Sequence, residues 1–532
     1  MRVGKRLIAG IFALTFGMFW LIADRADAQH AVMLPANFPR LGMWFPKTDT
    51  EPITKTARYD FLVLAQDQES ALPALKAANP NQIELMYQDV SEESYDPAGD
   101  ASVNAEVLAL PYQWFLTQVG STLTAPVDTM QTQIPVANLV NADGSATFVV
   151  SDTALIENET VFVTSVDGAS KTLTVQRGYV RPGSAHAAGT RIAAHIAFWP
   201  QSWMMNASTL APRVVVSPSI GAENWAEYRA RQGIQLVSPA AWDGILVDRG
   251  DGTQSWLVGN STARTIDPDN SNTLPSDQYA AFDQAWGAGI RNYHTRLRAG
   301  LGSKIVYVNW GMPNYDLLNG NNIEGFPLDN GNSYQGDWRA TMFGALSEGS
   351  YFDWMTNAQS PNLTMVETYE DDGGPDPTGN GSYNNRCVQA GFTPNYRKMR
   401  FGLTTALLND GFFSYEMNTN GHGSLCLLWF DEYDNAGAGR GYLGTPLGAA
   451  KPVMGGQDVW RRDFSNGIAL VNATAVTQTI SLGGTFQKIR GTQAPAINDG
   501  SFVAQITLAP RDGIILLRPT TLRTLFLPLV RR

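Results

Sequence analysis

The sequence predicts a (β/α)8 TIM barrel with an inserted small all-β module and a C-terminal antiparallel β-domain. Three observations predict it. Eight short apolar, β-rich runs recur along the chain, bounded by turn residues, and helical patterns lie between several of them. No G-x-G-x-x-G follows an early strand, as an open doubly wound sheet would need at its switch point. Residues from about 120 to 194 break the alternation with short runs rich in Thr, Val, Ser, Gly and Asn.

The eight strand runs are 41–45, 61–65, 83–87, 244–247, 304–309, 322–326, 364–369 and 411–415. Helical spacing of apolar residues is read at 69–78, 225–232, 278–301, 337–357 and 395–408. The link between the fifth and sixth runs is short and is expected to lack a full helix. The division expected is a signal peptide at 1–28, the barrel at 29–119 and 195–455, the inserted module at 120–194, the C-terminal β-domain at 456–519, and a tail at 520–532.

The first segment has the layout of an export signal. Arg2, Lys5 and Arg6 precede an apolar stretch, and Ala26-Asp27-Ala28 forms a small-x-small cleavage signal before Gln29. A secreted or cell-surface location follows as an expectation. The tail 525–532 is apolar and then basic and too short to span a bilayer; it reads as a bland tail, with an envelope-sorting or docking peptide as the alternative. Cys387 and Cys426 are the only cysteines, and in an exported chain they can form one disulfide or stay as two buried thiols.

With 532 residues, 44% hydrophobic and 16% charged, the chain is globular and long enough for two or three domains. Its net charge of −11 argues against nucleic acid, which needs clustered Lys and Arg. The five histidines show no metal spacing and no C-x-x-C occurs, so neither a metal site nor a cofactor is expected. The absence of G-x-S-x-G argues against a serine nucleophile.

Barrel active sites lie at the C-terminal ends of the strands. Asp248 ends the apolar segment 242–248 and Glu324 ends the segment 320–324, just before Gly325-Phe326, and paired rim carboxylates are the equipment of glycosidic-bond hydrolysis. They are the candidate catalytic pair, with acid and nucleophile or base roles left open between them. Arg249 and Asp251 share the loop of Asp248, whereas Asp243 sits at the other end of that strand, where it caps or pairs. Glu367 and Tyr369 have the same parity on the seventh strand and are expected to face the lumen. Trp44, Asp67, Asp89, Asn309 and Trp310 occupy further strand ends, where aromatic faces stack on sugar C–H groups and polar side chains bond hydroxyls. Substrate binding is therefore expected of Trp44, Asp67, Asp89, Arg249, Asp251, Asn309, Trp310, Glu367 and Tyr369. His422 and the Asp371-Asp372 pair are read as loop residues.

The segments 225–228, 242–248, 322–326, 400–408, 431–433, 443–448 and 462–467 together resemble glycoside-hydrolase-like TIM-barrel families, including the group related to α-1,4-polygalactosaminidases. The resemblance implies a catalytic Asp after the fourth strand and a Glu after the sixth, which fall on Asp248 and Glu324. It implies a polysaccharide or oligosaccharide partner. Within the insert, Gln176-Arg177-Gly178-Tyr179 and residues 184–190 resemble a small β-module of phage-tail and surface proteins. The competing expectation is a non-catalytic carbohydrate-binding or envelope protein on the same scaffold, because fold alone does not establish activity.

Expressed with its own N-terminus, the protein is expected outside the cytoplasmic membrane with Gln29 as its first residue. N-terminal sequencing of the exported fraction checks this, and a membrane-held chain beginning at Met1 would contradict it.

Overall fold

The computed structural model describes residues 32–46, 48, 51–259, 263–326, 337–370, 387, 391–417, 427–453, 455 and 457–519. The signal-peptide segment 1–28, the tail 520–532, Asp371, Asp372, His422 and Cys426 lie outside the described residues.

Eight parallel strands form one sheet: β1 (Gly42–Trp44), β2 (Phe61–Leu64), β3 (Ile83–Asp89), β4 (Gly244–Asp248), β5 (Ile305–Asn309), β6 (Asn321–Ile323), β7 (Met365–Tyr369) and β8 (Phe412–Glu416). Each pairs with the next in sequence order, and a parallel bridge between Leu41 and Phe413 brings β8 back to β1. Each of the eight expected runs holds a strand, although the sixth, expected over 322–326, ends at Ile323. They are legible because barrel strands are buried on both faces and so read as nearly unbroken apolar runs.

The two faces go to different cores. Phe61, Val63, Ile83, Leu85, Leu246, Ile305, Tyr307, Met365 and Phe412 fill the lumen. Their neighbours Leu62, Leu64, Met86, Ile245, Val247, Val306, Val308 and Val366 point outward to the main core under the helices. Those helices are α1 (Leu72–Ala78), α2 (Trp225–Val237), α3 (Ala280–Leu301), α4 (Trp338–Phe343), α5 (Tyr351–Asn357) and α6 (Tyr396–Ala406). A capping box opens α2: Asn224 accepts from the Glu227 amide while Glu227 accepts from the Asn224 amide. The single helix expected over 337–357 is two helices, because the chain leaves α4 at Gly344 and turns through Gly349 at φ 78°. Residues 310–320, between β5 and β6, contain no helix.

The link from β3 to β4 carries a six-stranded antiparallel sheet in the order Ser121–Thr122, Arg191–Ala194, Thr153–Ile156, Glu159–Asp167, Thr172–Gln176, Gln133–Pro135. It has its own core of Leu123, Val127, Ile134, Val136, Phe148, Ile156, Val161, Val163, Leu173, Val175 and Ile192. Its two ends meet where Thr117 bridges His195 and the Gln118 amide donates to the Ala194 carbonyl at 2.8 Å. Ion pairs Arg191–Asp267 (2.6 Å) and Arg264–Asp152 (2.7 Å) fasten it to the loop before α3. The buried Arg181 donates to the carbonyls of Val107 (2.7 Å) and Leu110 (3.0 Å), pinning the module to the segment that follows β3.

A second six-stranded antiparallel sheet, in the order Lys451–Pro452, Val459–Asp463, Gly467–Asn472, Asp512–Leu517, Gln478–Lys488, Phe502–Leu508, closes the described chain. It docks on α6. Arg400 Nη2 lies 3.0 Å from Asp512 Oδ1, and a Cβ at Gly513 would stand 1.9 Å from Thr404 Oγ1, so only glycine allows the approach.

Arg400→Ala is expected to cost about 3–5 kcal/mol, because it leaves Asp512 buried without its counter-charge. Chemical denaturation of wild type and variant measures the loss.

Candidate active site

Above the apolar lumen plug the same inward parity carries polar side chains. Leu85 gives way to Tyr87 on β3, Leu246 to Asp248 on β4, Tyr307 to Asn309 on β5, and Met365 to Glu367 and Tyr369 on β7. The period-2 rule therefore stacks a polar layer at the strands' C-terminal ends, where a barrel presents its chemistry.

Asn309 joins the two candidate acids. Its Nδ2 donates to Asp248 Oδ1 at 3.1 Å and to Glu324 Oε2 at 2.6 Å. Glu324 also accepts from Trp310 Nε1 at 3.0 Å and from the Tyr369 hydroxyl. Asp248 accepts from the Tyr87 hydroxyl at 2.8 Å and from the Arg249 amide at 2.9 Å. Asp248 and Glu324 are half-buried as residues. Beneath them Asn322 Nδ2 donates to Asn309 Oδ1 at 3.2 Å and to Glu367.

The electrostatics concentrate on the β3–β4 side. Burial and the nearby Glu324 charge push the Asp248 carboxyl above the usual range, against the pull of Tyr87, Arg249 and Asn309. Asp89 stands beside Asp248 across the β3–β4 register. Burial, then the charges of Asp248 and Glu92, hold it well above the usual range. Asp251 is pushed up to about 6, mainly by burial, with Arg249 opposing. Arg249 lies 3.5 Å from Asp251, and its guanidinium sits 4.2 Å from the Phe198 ring centre. Three residues directly after strands, Phe45 (φ 40°), Arg249 (φ 59°) and Trp310 (φ 49°), adopt left-handed backbone; such strain collects where a site fixes side-chain direction.

The structure brings Asp248, Glu324, Asn309, Trp310 and Tyr369 into one hydrogen-bonded group and sets Asp89, Arg249 and Asp251 beside it. Five expectations change. Tyr369, 2% exposed, and Asn309, 4% exposed, give their polar groups to the two acids and position them instead of presenting a face to substrate. Trp44 presents no open face: it is 1% exposed in the lumen core, because β1 ends with its side chain directed inward beside Phe45 and Tyr87. Glu367 is 0% exposed and lies a layer below the pair, where it orients Asn322 instead of reaching a ligand. Asp67 is exposed on the turn Gln66–Ala71 and makes no described hydrogen bond to the group. Asp243 keeps the opposite end of β4, accepting from the Glu84 amide at 2.9 Å and from Lys76 at 2.6 Å.

Tyr87 and Asn322 escaped the sequence reading, although inward parity on β3 and β6 was the signal that could have found them. Phe198, Trp199 and Trp256 lie near Arg249 on loops whose sequence has no period to interpret. Among the described residues no group of three or more His, Cys, Asp or Glu is placed to hold a metal ion.

The profile of hypothetical glycosyl hydrolase family 15 matches residues 185–468, just over half of the chain and the part that holds both carboxylates. No curated protein sequence matches the chain. Among solved structures, the chain is similar to the glycoside hydrolase domain of PelA from Pseudomonas aeruginosa, at 11% identity and a TM-score of 0.33, covering 73% of this chain and 97% of that one. An Anoxybacillus alpha-amylase is similar at 10% identity and a TM-score of 0.36, covering 89% and 90%. The cyclic alpha-maltosyl-(1→6)-maltose hydrolase from Arthrobacter globiformis is similar at 8% identity and a TM-score of 0.35, covering 87% of each chain. At these TM-scores the likenesses add nothing to the site.

Because the Glu324 charge raises the Asp248 carboxyl, Glu324→Gln is expected to lower the pH at which Asp248 ionises. Carbon-13 NMR titration of labelled aspartate in wild type and variant reads the shift, and an unchanged midpoint would break the coupling.

Proposed function

We propose, for a chain that belongs to hypothetical glycosyl hydrolase family 15, that Asp248 and Glu324 cleave the glycosidic bonds of a polysaccharide as a retaining acid and nucleophile pair. One observation carries the reading: both carboxylates take an N–H from the same Asn309 nitrogen. The two accepting oxygens therefore stand no more than about 5.7 Å apart, a close approach that supports the retaining arrangement, in which the carboxyl groups lie roughly 5–5.5 Å apart.

The raised ionisation of Asp248 suits it to carry the proton that the departing oxygen needs. Glu324, with donors on both oxygens, suits attack on the anomeric carbon, and Trp310 and Tyr369 fix its direction. Bond cleavage passes the Asp248 proton to the leaving oxygen and forms a glycosyl ester on Glu324. Asp248, now ionised, takes a proton from the water that releases the sugar, which restores both groups. Asn309, which donates to both carboxylates, holds them at a fixed spacing for these steps.

Export is part of the proposal. The basic and apolar N-terminal sequence supports it, and so does the disulfide bond of Cys387, a modification that persists in oxidising compartments. A soluble or wall-bound polysaccharide outside the cell is the substrate class that fits.

The purified protein is expected to release reducing ends from one or more members of a polysaccharide panel. Asp248→Asn and Glu324→Gln should each lower the rate by about 10³-fold or more. Proton NMR of the first product should show the anomer of the substrate; the opposite anomer would remove the retaining assignment. Binding with no release of ends by wild type would remove the hydrolase reading.

A further inference from the structure

We propose that Trp199, backed by Phe198 and Trp256, is the aromatic platform of an outlying sugar subsite on the Asp248 side of the cleft; the proposal rests on the hydrolase reading above. Trp199 is 46% exposed, the only tryptophan among the described residues that leaves so much of its ring open. Its position leads away from the catalytic pair in short steps. Arg249 follows Asp248 in the chain, and its guanidinium lies 4.2 Å from the Phe198 ring centre. Phe198 meets Trp199 at 4.9 Å and Trp256 at 5.3 Å, both edge-on. The Trp199 ring is therefore no more than about 9 Å from the Arg249 guanidinium.

The turn that presents Trp199 is fixed at its base. Glu92, 6% exposed, accepts from the amides of Phe198 at 3.2 Å and Trp199 at 3.3 Å and from the Ser202 hydroxyl at 3.0 Å. The Ser202 amide returns to the Trp199 carbonyl at 3.2 Å. A buried carboxylate spent on holding an exposed indole in one direction is expensive as packing and useful as preorganisation. The ligand such a surface takes is the C–H face of a pyranose ring, with the sugar hydroxyls left to water and to rim side chains. The platform follows directly on the end of the inserted module, so the insert supplies the chain entry that aims it.

The test measures binding apart from turnover. Asp248→Asn, Asp248→Asn/Trp199→Ala and Asp248→Asn/Trp199→Phe are run in native gels containing soluble starch, xylan, polygalacturonate or glycol chitosan. In at least one gel the first protein should be retarded, the Ala variant should bind about tenfold more weakly, and the Phe variant should recover most of the loss. Far-UV circular dichroism confirms that all three are folded. Equal retardation of the Ala variant, or retardation of none of the proteins in any gel, overturns the platform. Release of reducing ends by wild type is read separately on the same polymers. Hydrolysis with unchanged Trp199→Ala binding overturns the platform alone. Weakened binding without hydrolysis sustains the platform and overturns the hydrolase reading.

Discussion

The side-chain amide of Asn309 is the constraint on which the rest of the site depends. Its nitrogen serves two carboxylates, so its carbonyl oxygen must face away from them. That oxygen meets the Asn322 nitrogen, and the same nitrogen also reaches Glu367. Glu367 accepts from the Asn322 nitrogen, which turns the Asn322 amide toward it, and Asn322 in turn donates to the Asn309 oxygen and so sets which end of Asn309 points up. The direction of both amides is thus set from below by a carboxyl group with no exposure to solvent. The two acids above inherit their separation from that chain of choices, and each keeps one aromatic hydroxyl of its own, Tyr87 or Tyr369.

Stacked under this network, the apolar plug keeps water from entering the polar layer from below, which strengthens each bond in it. Trp44 belongs to that plug. Its misplacement in the sequence reading has a plain cause: a tryptophan at a strand end serves equally well as a rim platform or as lumen filler, and one sequence does not say how far the strand rises. Glu367 is the same problem in polar form. Its inward parity was legible, but whether an inward carboxylate touches a ligand or a neighbouring amide depends on its height in the lumen.

The barrel was legible because doubly buried strands leave continuous apolar runs, and Asp248 because a carboxylate ends such a run. Glu324 and Asn309 followed from the same logic. The supporting residues were not legible for two different reasons. Tyr87 and Asn322 lie inside runs already assigned to strands, where a polar side chain looks like an interruption. Phe198 and Trp199 lie just past the inserted sheet, where neither a period of two nor of 3.6 links them to β4. Their neighbourhood with Arg249 is created by the return of the chain from the insert, a tertiary event with no local trace.

That return has a consequence for how the barrel tolerates its interruption. About 150 residues separate β3 from β4, yet closing a loop costs only about 0.6 kcal/mol for each doubling of its length. Once the inserted sheet has folded on its own core, the Thr117–His195 bridge joins its two ends and cuts the effective span by roughly half. The fourth strand can then find the third almost as if the insert were absent. An appendage with stitched ends is nearly weightless to the scaffold beneath it, which leaves its outer surface free to diverge while the eight-stranded frame stays unchanged.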